Sequence, residues 1–264
     1  MKANYHTHTT RCGHATGTEE EYVLAALEQG FDILGFSDHV PWPYRSGFTS
    51  PGVRMHVSAL DEYVASVRAI GRKYEGKIAV LAGFECEHFP EYMGWLEDMA
   101  NEKRLDYLIL GNHYDQTDET GMHFGSARTP QQLRRYVDST VKGVQTGLFS
   151  YLAHPDLFMR HYGRVDADFT AAARDLCQAC RDAGVPMEYN LHMLHTYGTP
   201  ERAGYPCEAF FDIALDEGVQ VVIGVDAHAP RELLNGTYFE GAQRALERFG
   251  ALHIDQLALR SFGR

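Results

Sequence analysis

Short apolar runs alternate with longer amphipathic stretches along the whole chain. The runs are Ala3–His6, Ile33–Ser37, Ile78–Glu85, Tyr107–Asn112, Ser150–His154, Met187–Asn190 and Gln220–Asp226, mostly bounded by Gly, Asp or Pro. That pattern suits parallel strands buried on both faces. The stretches between them carry helix signals. Thr18 followed by Glu21 forms a capping box for a helix ending near Gly30, and Thr129 with Pro130 opens Gln131–Val144. Pro206 opens Cys207–Glu217, which stops at Gly218, while Ser58–Tyr74 and Asp168–Ala183 hold apolar residues at helical spacing. Strand–helix alternation predicts a single α/β domain over residues 1–264, built on a parallel sheet or barrel. Where the polar residues fall favours a closed barrel.

Composition narrows the function classes. The 264 residues include 24 Lys+Arg against 36 Asp+Glu, a formal net charge of −12, with 44% hydrophobic and 23% charged residues. This is the profile of an ordinary globular protein. The acidic balance argues against broad nucleic-acid binding, so a phosphate-bearing ligand would need a local positive partner. No apolar run nears the ~18 residues of a membrane span, and Met1–Thr10 lacks the apolar core of a secretory leader. The five Cys are an odd number and read as reduced cytoplasmic thiols. Cys177 and Cys180 read as two thiols on one helix face.

Histidine changes the picture, with 14 in the chain. Nearly every predicted strand ends in a metal-capable side chain: His6 and His8, Asp38 and His39, Glu85, His113, His154, then Asp226 and His228. In a parallel barrel all these ends lie on one face, where barrel enzymes build their sites. Residues two apart in a strand point the same way, so His6 with His8, and Asp226 with His228, can both face the barrel mouth. Imidazoles suit zinc, iron and manganese, and a carboxylate such as Glu85 can bridge two ions. So many donors exceed the need of one tetrahedral ion, which implies more than one metal. Any one of these pairs alone is an ordinary turn or surface feature; six at predicted strand ends are hard to attribute to coincidence.

The ordered set His6, His8, His14, Asp38, His39, Glu85, His113, His154, Asp226 and His228 resembles the polymerase-and-histidinol-phosphatase (PHP) family of metal-dependent phosphoesterases. The Cys12-Gly13-His14 segment is most similar to its histidinol-phosphate phosphatase branch. The resemblance implies a distorted (β/α)7 barrel with a metal site of three ions at the C-terminal strand ends. It implies His6, His8, Glu85 and Asp226 on the first ion, Glu85, His113 and His154 on the second, and His14, His39 and His228 on the third. Asp38 would orient a neighbouring imidazole. The family often has an acidic residue two before the first His; here it is Asn4, which can still accept a hydrogen bond.

The expected chemistry follows from charge. Three divalent ions, less two carboxylates and a bridging hydroxide, leave about +3 for a phosphate monoester, and the hydroxide would attack phosphorus in line. Arg160 is the first candidate to neutralise phosphoryl oxygens, then Arg202, then Arg164. Proton donation to the leaving group is open between a metal-bound water, Asp38 and His195. His88, His192 and His195 can line the pocket, while His56, His123, His161 and His253 read as structural or solvated. Trp42, Tyr44 and Phe48 read as core or lid packing ahead of substrate walls.

The leading expectation is hydrolysis of L-histidinol phosphate to L-histidinol and phosphate in histidine biosynthesis. Another small phosphomonoester, a nucleotide or a cyclic phosphate keeps the chemistry and changes the substrate. A hydrolase of C–N or C–O bonds usually needs a carboxylated Lys or a mononuclear site, and no strand-end Lys occurs here. A non-catalytic metal-binding module is the reading from a different class.

Overall fold

The computed structural model describes residues 1–263. Its strands are β1 (Ala3–Asn4), β2 (Ile33–Phe36), β3 (Ala79–Cys86), β4 (Tyr107–Leu110), β5 (Met187–Asn190) and β6 (Val221–Gly224). They pair in the orders β1-β2-β3-β4 and β5-β6, every pairing parallel. Helices fill the intervals close to where the sequence puts them. Thr18 and Glu21 make the capping box of Glu19–Glu28, and Thr129 with Pro130 at the first turn opens Pro130–Gln145.

The expected fifth strand is the clearest departure. Residues 150–154 form no named strand, yet Leu152 bridges in parallel to Leu110 on one side and Met187 on the other. Leu110 N donates to Tyr151 O at 3.0 Å, and Glu188 N donates to Leu152 O at 2.9 Å. The segment therefore joins the two sheets, but His154 leaves extended geometry at φ 28 and cuts it short. The long segment Leu191–Tyr205 after β5 contains two short helices, His192–Tyr197 and Pro200–Ala203.

The sheet curls until its first and last strands approach. Thr7 bridges Ala227, His8 N donates to Ala227 O at 2.9 Å, and Asn4 Oδ1 accepts from Val225 N at 2.8 Å. Asn4 thus spends its acceptor on joining β1 to the chain beyond β6. Period-two alternation divides the core into two. Leu108, Leu110 and Phe84 pack outward under the helices, while Tyr5, Tyr107, Ile109, Tyr151 and Val222 fill the inside of the curl. Ile254 and Leu257 from the C-terminal segment pack against this inner cluster.

Tyr107 crosses the interior, its hydroxyl 2.7 Å from Tyr5 O and 3.1 Å from Phe36 O. Gly35 makes room for it, because a Cβ there would sit 2.3 Å from that hydroxyl. Removing the hydroxyl leaves buried carbonyls without their donor. Tyr107→Phe is expected to cost about 1–3 kcal/mol, read as a lower midpoint in chemical denaturation; an unchanged midpoint would show the bond to be dispensable.

Candidate metal centre

Glu85 is the penultimate residue of β3 and only 1% exposed. Its two oxygens face different imidazoles. Oε1 lies 2.7 Å from His154 Nε2 and 3.2 Å from His113 Nε2. Oε2 lies 3.0 Å from His39 Nδ1, 3.4 Å from His6 Nε2 and 3.5 Å from His8 Nε2. Asp226 Oδ1 is 3.4 Å from each of His6 Nε2 and His8 Nε2. His228 stacks 4.2 Å from His8 and 4.8 Å from His14, ring to ring, and His14 lies 5.6 Å from His39. The curl thus gathers His6, His8, His14, His39, Glu85, His113, His154, Asp226 and His228 at one rim. Gly111 is required beside them, since a Cβ there would fall 1.9 Å from Glu85 Oε1.

Outer hydrogen bonds fix which nitrogen of each ring faces inward. Glu188 Oε1 accepts from His6 Nδ1 at 2.8 Å, and Glu87 Oε1 from His113 Nδ1 at 2.9 Å. The Asp226 carbonyl lies 3.1 Å from His228 Nδ1, and the Cys12 carbonyl lies 3.0 Å from His14 Nδ1. Each leaves Nε2 as a free donor atom toward the cluster, the arrangement that metal-binding histidines use. His6 Nε2, both nitrogens of His8, His39 Nδ1 and Asp226 Oδ1 are buried without a hydrogen-bond partner. Buried polar atoms are rarely left so. The triads His6–His8–Asp226, His6–Glu85–His154 and His8–His39–His228 each bring their donor atoms within 4.8 Å of one another. Imidazole and carboxylate donors in this arrangement fit divalent zinc, iron or manganese. Cys12 also lies within that distance of His14 and His228.

Electrostatics point the same way. Burial alone would raise the Glu85 carboxyl, yet His113, His39 and His6 hold it well below its usual range. Burial opposes charge on His6 as well, but Asp226, Glu188 and Glu85 raise it well above 6.5. His113 is raised against burial to about 9 by Glu85 and Glu87. Glu87, which burial would raise, is brought down to about 2 by Arg54 and His113. These buried carboxylates and rings thus favour one another's charged forms, whereas burial lowers His39 to about 3 and lowers His228 as well.

A cavity of about 290 Å³ opens onto the cluster, walled by Val53, Tyr114, Leu157, Met193 and Tyr205, with Arg160 and His192 also lining it. Arg160, the first arginine candidate, lies on the wall of this cavity. Arg202 does not: it is exposed and lines a neighbouring hollow with Pro206 and Arg248, which Arg160 also borders, because the helix Pro200–Ala203 carries it outward. Arg164 pairs with Asp166 at the surface. His195 packs edge-on against Tyr238, outside the cavity lining, and burial lowers it to about 4. Asp38 sits behind His8, with its Oδ1 3.6 Å from His8 Nδ1, and accepts from Thr9 N and the Thr9 hydroxyl. Neither His195 nor Asp38 lines the cavity.

His88 does not line the cavity, and its Cβ lies close to Gly143. His123, expected to be structural, lines the cavity while its Nδ1 also accepts from Gly125 N at 3.0 Å. Trp42 packs on Phe89, Tyr92 and Trp95, and Tyr44 on Phe48, around a different hollow. Glu87, Glu188 and Arg54 were not singled out from sequence. Glu87 had a signal, since it lies two after Glu85; Glu188 had only its place inside a predicted strand.

The PHP domain family model matches residues 4–192. The chain belongs to the PHP domain family. A Deinococcus radiodurans protein named "Probable histidinol-phosphatase" is 29% identical over 250 residues, covering 93% of this chain and 92% of its own. A Schizosaccharomyces pombe protein of the same name is 22% identical over 275 residues, covering 95% and 87%. Histidinol phosphate phosphatase from Lactococcus lactis, solved with zinc, L-histidinol and phosphate, shares the fold at TM-score 0.72 and 16% identity, over 97% of this chain and 99% of that one. The protein is a PHP-family phosphatase, histidinol-phosphatase-like in sequence. No helix among its described residues is long and apolar enough to cross a membrane.

Two outcomes test the centre of this PHP-family phosphatase. Gly111→Ala should drive Glu85 aside and sharply reduce bound metal by elemental mass spectrometry, with far-UV circular dichroism retained; full metal content would show that Glu85 can shift at no cost. The second concerns pH. In chelator, the raised His113 stabilises the fold fully below about pH 6.5, and that contribution is lost as pH climbs through about 9. An ion needs the free base, so metal affinity rises over the same range. Thermal melts in chelator and in zinc should therefore separate with rising pH; parallel curves would contradict the proton-for-metal exchange.

Proposed function

We propose that this protein hydrolyses L-histidinol phosphate to L-histidinol and inorganic phosphate, a step of histidine biosynthesis, using three divalent ions (zinc, iron or manganese). We read the ring of strands, with the Leu152 segment in fifth place, as a distorted (β/α)7 barrel. The observation that carries the proposal is the division of imidazoles between the two oxygens of Glu85. His113 and His154 face Oε1, while His6, His8 and His39 face Oε2. Such a division suits a carboxylate that would bridge two ions. On this reading His6, His8, Glu85 and Asp226 hold the first ion, Glu85, His113 and His154 the second, and His14, His39 and His228 the third.

Ions held there would polarise the phosphoryl group and lower the pKa of water to about 7. The chain's own groups do the rest. Arg160, at the cavity mouth, binds phosphoryl oxygens. Tyr114, Leu157, Met193 and Tyr205 exclude water and hold the leaving group, in a volume of about 290 Å³ that suits a small metabolite. Asp38 is a positioning residue behind His8.

The charge reaching substrate is smaller than the sequence suggests. Asp38, Glu85, Glu87, Glu188 and Asp226 are all buried, as is the side chain of Asp118, with Arg54 as the compensating buried guanidinium. Three divalent ions would then leave about +1 before any hydroxide, so Arg160 matters more.

A panel of phosphoesters on metal-replete protein decides the substrate. Histidinol phosphate should exceed the others in kcat/KM by orders of magnitude; a nucleotide or cyclic phosphate in first place would overturn it. Arg160→Ala should lower kcat/KM about 10- to 150-fold, the loss of a charged hydrogen bond to phosphate. An unaffected variant would remove Arg160 from the site.

A further inference from the structure

Arg54 lies on the loop between β2 and the helix Leu60–Lys73, yet its side chain is only 2% exposed. Its guanidinium reaches three separate segments. Nη2 donates to Glu87 Oε1 at 2.6 Å, just past the end of β3. Nε donates to Asp118 Oδ2 at 3.0 Å, on the excursion after β4 that the Tyr114–His123 bridge closes. Nη1 donates to Val40 O at 3.2 Å, at the start of its own loop. Glu87 Oε1 also accepts from His113 Nδ1, and Glu87 Oε2 accepts from Trp42 Nε1 at 2.8 Å.

We propose that Arg54 is a positioning residue that acts through Glu87: it fixes the His113 ring for metal binding and clamps together the two loops that wall the cavity. This rests on the reading of His113 as a metal ligand. Arg54 is not a phosphate binder, because its side chain is buried outside the cavity lining and three of its five N–H donors are held by two carboxylates and a carbonyl. The planar guanidinium suits this task, since it presents donors in fixed directions where an ammonium offers one compact centre. Glu87 Oε1 is shared between Arg54 and His113, so losing Arg54 frees the carboxylate that aims the ring. Val53 and Tyr114, next to the clamped points in sequence or on the bridged excursion, line the cavity, so loosening the clamp also loosens its wall.

The test measures metal affinity by chelator competition and elemental mass spectrometry on the full chain, using zinc alone. Glu87→Gln and Arg54→Met should each weaken retention of one ion by about 10- to 100-fold, the usual effect of losing an outer partner of a metal-bound imidazole. Arg54→Lys should fall between them and wild type, with kcat restored by excess zinc. His113→Ala should lose the same ion, and adding Arg54→Met to it should weaken retention less than about twofold further. Folded Arg54→Met or Glu87→Gln with wild-type affinity would overturn the proposal, as would a full additional loss in the His113→Ala background. Should Arg54→Met not fold, Arg54→Lys and Glu87→Gln decide the matter by the same criterion. If His113→Ala itself keeps every ion, the ligand reading of His113 fails instead, a result separable from failure of the clamp.

Discussion

A carboxylate removed from water stays ionised only where positive charge or several donors stand close around it. Glu85 is that carboxylate here, and the geometry of the rim follows from it. It is the penultimate residue of the longest strand, β3, whose neighbours β2 and β4 deliver His39 and His113 just beyond their own last residues. His6 and His8 arrive from β1, and His154 from the Leu152 segment. Parallel strands make this convergence possible, because every one of them ends on the same side of the sheet. Gly111 keeps the centre open, and Gly224 does the same for Glu188, where a Cβ would fall 1.8 Å from Oε1.

Around that centre the protein places more negative charge than neutral imidazoles can balance. Glu188 has no exposed surface, and it also accepts from His154 N at 2.9 Å and from Asn190 at 2.7 Å. Such a shell is unfavourable without cations. His6, His8 and His113 are each raised against the effect of burial, which favours positive charge beside these carboxylates. Divalent ions would supply more charge from less volume, displacing protons from such rings on binding. The acidic shell therefore favours metal retention, while it reduces the positive potential left over for an anionic substrate. Holding metal and attracting phosphate pull in opposite directions, and under the proposed function Arg160, which lines the cavity, would serve the second without weakening the first.

What the sequence discloses and what it hides follow from the same physics. The rim residues were legible because strand ends are marked by short apolar runs, and His or Asp at such ends stands out. The parallel strand–helix order was legible too, but only six of the seven expected strands form among the described residues; the fifth is reduced to a single bridged residue, because hydrogen bonding on both sides does not require a long run. Arg202 and His195 were misplaced because two short helices occupy a segment whose composition suggests a loop, and a helix turns successive side chains away from the rim. Arg54 gave no signal at all. A lone arginine between Val53 and Met55 looks like surface charge until Glu87 and Asp118, distant in sequence, close on it.

Two of the rim residues also show what the arrangement demands of the backbone. His154 and Asp226 have φ of 28 and 51, a left-handed region that residues with a side chain rarely occupy. Each is the point where the chain leaves the sheet and a donor must turn inward. Strain of this kind costs of order 1–3 kcal/mol per residue and persists only where surrounding contacts hold it. At His154 the holding contacts are the Glu188 oxygen on its backbone N and the Glu85 oxygen on its ring. At Asp226 they are Asn190 on the carboxylate and the two imidazoles that contact its carbonyl. Both sets run through the buried carboxylates and rings of the centre itself. The strained turns, the carboxylate shell and the imidazole cluster are thus one cooperative unit, and whatever neutralises Glu85 also holds the chain in the shape that presents it.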